Sequence, residues 1–135
     1  VSAKFPIGYI WGEYDILHVE HIDLIRQAKA RCDYLFVGVF TDELIAEHGQ
    51  APDNPLLERL QIVRAMRSVD SAVGQATDDL SAVWRQLQFD VAFLTDGDPA
   101  AIRAQLPDSV EVVSLSEQTA TSSVLKTRKR PPRRT

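Results

Sequence analysis

Two histidines set the chemistry open to this chain. His18 and His21 stand three residues apart, a spacing that puts both imidazoles on one face of a helix, in its first turn. The free N–H groups and the dipole of a helix start already favour anions. Two imidazoles added there bring donors that can hold phosphate oxygens and stabilise charge developing in a transition state. The pair follows an apolar run ending in Gly12, then Glu13, Tyr14 and Asp15. The alternative reading is two surface histidines or part of a zinc site. Cys32 is the only cysteine, which excludes a disulfide framework and a cysteine-rich zinc centre.

Alternating strands and helices must carry that turn. Pro6 to Trp11 reads as a short buried strand, and Ile22, Leu24, Ile25 and Ala28 keep helical spacing in a stretch ending near Arg31. Residues 34–40 (Tyr-Leu-Phe-Val-Gly-Val-Phe) have no polar face, as in a parallel sheet covered on both sides. Thr41 is the expected N-cap of the next helix, and residues 48–55 form a Gly/Pro-bearing polar loop. Leu56 to Arg67 is expected to be helical, Ser71 to Gly74 a strand, and Asp79 to Leu87 a helix. Val91 to Leu94 reads as a buried strand, followed by a turn over 95–99 and a short helix from Ala100 to Gln105. Val110 to Leu115 is the last expected strand, and Thr121 to Lys126 opens a last helix. The pattern predicts a single-domain α/β fold, a Rossmann-like doubly wound parallel sheet of about five strands. In such sheets ligands sit at the carboxyl ends of the strands, which is where His18 and His21 fall.

The 135 residues are 44% hydrophobic and 25% charged, an ordinary globular balance for one domain. The net charge of −4 is uneven. Residues 1–125 hold nine basic against nineteen acidic side chains, a balance of −10, and residues 126–135 hold six basic side chains and no acidic one. We therefore expect a domain over 1–125 and a basic, disordered tail over 126–135. An acidic body with a short basic tail is a poor fit to nucleic acid. No apolar stretch approaches the ~20 residues of a membrane span. Nothing at the start reads as a signal peptide, so a reducing, cytoplasmic setting is the expectation.

The order Gly12-Glu13-Tyr14-Asp15-Ile16-Leu17-His18-Val19-Glu20-His21 resembles the Gly-x-aromatic-Asp-x-x-His-x-Gly-His signature of the nucleotidyltransferase superfamily. The chain resembles the small bacterial glycerol-3-phosphate cytidylyltransferases from about Ile7 to Leu125. Further segments that match in order are 21–29, 32–35, 41–43, Glu58-Arg59, Arg67-Ser68-Val69-Asp70, 89–91 and Thr121-Ser122-Ser123. The resemblance implies transfer of CMP from CTP to a small phosphorylated alcohol, with release of pyrophosphate and Mg²⁺ as cofactor. It implies that His18 and His21 stabilise the transition state at the α-phosphate. Gly12, Glu13, Tyr14, Asp15 and Asp96 fall at nucleotide-binding positions. Thr121, Ser122 and Ser123 fall where hydroxyls meet the β- and γ-phosphates. Arg59 and His48 fall at substrate-binding positions, and Arg67 and Asp70 at a homodimer interface.

Some positions depart from the pattern. Glu20 replaces the glycine between the histidines, and Glu117 stands where the family carries an arginine. The lysines of the loop after the second helix are replaced by His48 and Gln50, and Thr95 replaces a glycine. Most of these changes remove positive charge or add negative charge where a triphosphate would sit. They keep two alternatives open: a catalytically degenerate protein that binds a ligand or partner, and transfer of a different nucleotide such as AMP.

Overall fold

The computed structural model describes residues 4–116. The elements run β1 (Phe5–Gly12), α1 (Val19–Lys29), β2 (Cys32–Phe40), α2 (Asp42–Glu47), α3 (Leu56–Arg64), β3 (Ser71–Gln75), α4 (Leu80–Leu87), β4 (Val91–Leu94), α5 (Pro99–Arg103) and β5 (Glu111–Ser114). The five strands form one sheet in the order β3-β2-β1-β4-β5, every pair parallel. This is the expected doubly wound α/β architecture. The described residues belong to the span expected to be the domain; the tail over 126–135, Glu117 and the helix expected from Thr121 lie outside them.

Alternation along β1 feeds two cores. Ile10 joins Leu35, Val37, Val39, Ile25, Ala28, Leu60 and Val63 beneath α1 and α3. Tyr9 faces the other way, with Leu80, Val83, Phe89, Leu106 and Val110 beneath α4 and α5. There the rings of Trp11, Tyr9 and Phe89 stack in series, with centroids 5.7 and 5.0 Å apart. The buried Tyr9 hydroxyl donates to Gln75 Oε1, and Gln75 Nε2 donates to the Thr77 carbonyl at 2.9 Å, so this polar pair is satisfied inside the core. Gly38 makes room for it: a Cβ at that position would collide with the Tyr9 hydroxyl.

Register creates the crevice. β1 stays paired with β2 through Gly12, opposite Val39, whereas its pairing with β4 ends at Ile10 opposite Phe93. Beyond Ile10 the chain parts from β4 at the point where strand order reverses, the position at which open α/β sheets bind ligands.

Helix ends differ from the sequence reading in one instructive case. α3 stops at Arg64 rather than Arg67. The Met66 amide bonds back to Val63 and the Val69 amide to Met66, tight turns that replace the helical ladder. The Asp70 carboxylate then accepts from the Leu35 amide and from Lys29 Nζ, both at 2.8 Å, which draws the chain to the start of β3.

Candidate active site

The turn between β1 and α1 borders a cavity of about 460 Å³ lined by Trp11, Gly12, Glu13, Tyr14, Asp15, Ile16, His18, His21, Leu24 and Thr95. His18 is the N-cap of α1 and His21 its third residue. The His18 carbonyl accepts from the amides of His21 and Ile22, at 3.0 and 3.3 Å. The Val19 and Glu20 amides stand in the first turn, where the helix itself offers no acceptor. The two imidazole centroids are 5.6 Å apart.

A backbone contact orients one ring. The His18 amide donates to His21 Nδ1 at 3.0 Å. An Nδ1 that accepts carries no proton, so the neutral ring bears its N–H at Nε2. Tyr14 meets His21 edge-on, with ring centroids 5.9 Å apart.

Tyr14 lies in the left-handed backbone region, with φ of +51°, a costly conformation for a bulky side chain. Both of its chain neighbours are pinned. The Asp15 carboxylate accepts from the amides of Asp53 and Asn54, at 2.7 and 2.9 Å, and Asn54 Nδ2 donates to the Asp15 carbonyl at 3.0 Å. On the other side the Glu13 carbonyl accepts from Arg59 Nη1 at 2.9 Å. The Asp53 amide, above all, holds the Asp15 carboxyl below the usual carboxylate range, with burial opposing it and the Asn54 hydrogen bonds adding to it.

Several residues named from the sequence are placed differently from expectation. Arg59 is neither a solvated helix residue nor a cavity wall. It is fully buried, and it donates from Nε to the Asn54 carbonyl, from Nη1 to the Glu13 and Phe40 carbonyls, and from Nη2 to Asp42 Oδ1, at 2.6–2.9 Å. Its guanidinium therefore ties Asn54, the β1–α1 turn and the junction of β2 with α2 together. His48 caps the end of α2, pairs through Nε2 with Asp78 at 2.8 Å and meets Phe40 edge-on, away from the cavity lining. Thr95, not Asp96, lines the cavity, and Glu20 is not among its lining residues. Asp15 borders the cavity while its carboxylate is engaged by the 48–55 loop. Thr121, Ser122, Ser123 and Glu117 lie outside the described residues.

Sequence reasoning passed over Trp11, Ile16 and Leu24 as site residues. Leu24 stands three residues after His21 and so shares its helix face, a signal that was available. Trp11 gave none, because an aromatic ring at a strand end reads equally well as core.

A model of the family described as cytidylyltransferase-like matches residues 9–129. Ethanolamine-phosphate cytidylyltransferase from Arabidopsis thaliana is 31% identical over 113 residues, which cover 82% of this chain and 26% of that protein. The chain thus spans about a quarter of that relative's length. FAD synthase from Pyrococcus abyssi is 32% identical over 130 residues, covering 87% of this chain and 88% of that protein. Among solved structures, the lipopolysaccharide core biosynthesis protein from Thermoplasma volcanium superimposes with a TM-score of 0.79 at 23% identity, over 85% of this chain and 99% of that one. That likeness supports the fold.

Proposed function

The chain belongs to the cytidylyltransferase-like family, and from that membership we propose that it is a nucleotidyltransferase that moves CMP from CTP to a small phosphorylated alcohol of the glycerol 3-phosphate type. In this reaction a phosphate oxygen of the acceptor attacks the α-phosphorus. The bond from that phosphorus to the oxygen bridging to the β-phosphate breaks, and pyrophosphate leaves. The observation that carries the reading is the placement of His18 and His21 on one cavity at the N-terminus of α1, where β1 and β4 part.

Charge builds on the oxygens of the α-phosphate as the nucleophile enters. His21, with its proton at Nε2, and His18 supply donors there, and the first-turn amides of α1 add partial positive charge. The donors are preorganised because the His18 amide fixes one ring and the α1 backbone fixes the spacing of both. Mg²⁺ enters the proposal as the counter-ion of the triphosphate. Among the described residues no group of three or more His, Cys, Asp or Glu side chains is placed to hold a metal ion. A magnesium ion that keeps several waters and binds phosphate oxygens needs only one or two carboxylates, and Glu13 lines the cavity. A homodimer is part of the same proposal.

Pyrophosphate release, measured over four nucleoside triphosphates and a panel of phosphate monoesters, tests the reading. CTP with a phospho-alcohol is expected to turn over, and His18→Ala to lower kcat by about a hundredfold to a thousandfold. Equal rates in the variant would remove His18 from the reaction; no turnover with any triphosphate would refute the assignment. A second reading, adenylyl transfer, draws on the match to an FAD synthase of nearly the same length. Turnover with ATP in place of CTP is the outcome that would establish it.

A further inference from the structure

A row of residues on α1 continues past the cavity. His18, His21 and Leu24 line it, and Gln27 stands at the next three-residue step on the same helix. Its side-chain amide reaches far along the chain. Nε2 donates to Asp23 Oδ2 at 2.8 Å and to the Ser116 carbonyl, 89 positions away, at 2.9 Å. Both Nε2 hydrogens are thereby used, which fixes the way the amide faces. The first acceptor is itself held: Asp23 is buried, and its Oδ1 accepts from Arg26 Nη2 at 3.1 Å.

Ser116 belongs to the other half of the sheet. β5 is paired with β4, and the Leu115 amide donates to the Leu94 carbonyl at 2.8 Å. Thr95, the residue after Leu94, is the wall that the β4 side supplies to the cavity. The pairing of β1 with β4 ends at Ile10 and Phe93, so ladder bonds do not join the two walls at the level of the cavity. Phe93, Val113 and Leu115 share the apolar core with Ile25 and Ala28, but apolar burial is non-directional and leaves the helix free to slide by fractions of an ångström. The bond from Gln27 to Ser116 is directional. It runs from the helix that carries both histidines to the chain that leaves β5.

We propose that Gln27 is a positioning residue: oriented by Asp23, it clasps α1 to the β4–β5 side and so sets the separation of His18 and His21 from the opposite wall of the cavity. The proposal rests on the nucleotidyltransferase reading, in which both imidazoles must meet the α-phosphate. Gln27 touches no substrate and acts through the placement of those rings. A displacement of about 1 Å is enough to cost up to about a hundredfold in rate.

Gln27→Met keeps the length of the side chain and removes both donors. Gln27→Lys returns a donor group able to reach the same two oxygens. Pyrophosphate release is measured with the triphosphate and phosphate monoester that wild type turns over, in the presence of Mg²⁺, beside thermal melting of each protein. Gln27→Met is expected to lower kcat about tenfold, with both KM values within about threefold of wild type. Its Tm is expected to stay within about five degrees, the scale of one hydrogen bond. Gln27→Asn, one methylene too short to bridge both acceptors, is expected to behave as Gln27→Met, and Gln27→Lys to recover most of the lost kcat. A wild-type kcat in Gln27→Met would overturn the proposal and leave the nucleotidyltransferase reading intact. A loss that Gln27→Lys does not restore, or one that comes with a larger fall in Tm, would overturn it too, because Gln27 would then serve the fold alone. No turnover by wild type with any triphosphate would overturn the reading itself, and this proposal with it.

Discussion

Arg59 has the largest of the fully buried side chains, and it is buried charged. Four oxygens from Asn54, Glu13, Phe40 and Asp42 surround its guanidinium, which is what makes a charge tolerable in the interior. Arg59→Met would keep much of the volume and leave three carbonyls and a carboxylate without their donor. We predict a loss of about 3–5 kcal/mol of stability, read from urea unfolding; a loss under 1 kcal/mol would show that water replaces the guanidinium. Local sequence could not place this residue. On a helical wheel Arg59 is one more polar position, and its role depends on loops that converge from elsewhere. Asp15 gives a second prediction at this scale. Its carboxyl is held below the ordinary carboxylate range, chiefly by the Asp53 amide, so its contribution to stability is full above the unfolded-state value and is lost as pH falls through the lower folded-state value. The stability difference between wild type and Asp15→Asn is therefore expected to be greatest near neutrality and to shrink below about pH 4. A difference that grows on acidification would contradict the sign.

The clamp between the β1–α1 turn and the 48–55 loop is a property of elements. Asn54 donates to Asp15 across it from its amide and its side chain, and the Asp53 amide adds another. Asp15→Ala is expected to leave the sheet intact and to raise both hydrogen exchange and protease cleavage within 48–55; unchanged protection there would show that Arg59 holds the loop alone. The elements themselves were largely legible. β2 and β4 are apolar on both faces because the sheet is covered on both sides, and that condition writes a continuous apolar run. Thr41 was readable as an N-cap, and its Oγ1 accepts from the Leu44 amide at 3.1 Å. The end of α3 was not readable. Val63 and Met66 continue a helical spacing, and the break comes from Asp70 reaching the Leu35 amide across thirty-five positions.

At the scale of the molecule, Ile22, Arg26, Met66, Arg67 and Ser68 line a surface groove between α1 and the chain after α3. Ile22 and Ile62 are exposed, with relative accessibilities of 41% and 47%. We propose that this face meets a second copy of the chain, as the Arg67–Asp70 segment suggested. Asp70 is already engaged within its own chain by Lys29 and Leu35, so apolar contacts would carry such an interface. Sedimentation equilibrium is expected to give a dimer for wild type and a monomer for Ile22→Asp; a wild-type monomer at micromolar concentration would refute the proposal.

By itself the sequence determined the alternation of strands and helices, the parallel sheet and the position of His18 and His21 at the start of α1. Those features are written in patterns a few residues long: apolar runs, helical spacing, a cap. The tertiary structure alone decided which side chains face the cavity. Asp15 turns to a loop thirty-eight and thirty-nine positions away, and Arg59 spans forty-six positions to Glu13. Tyr14 is thereby held over Gly12, and Thr95 rather than Asp96 borders the site. Such contacts follow from strand order and register, which bring distant turns to one edge of the sheet, and no local period encodes them.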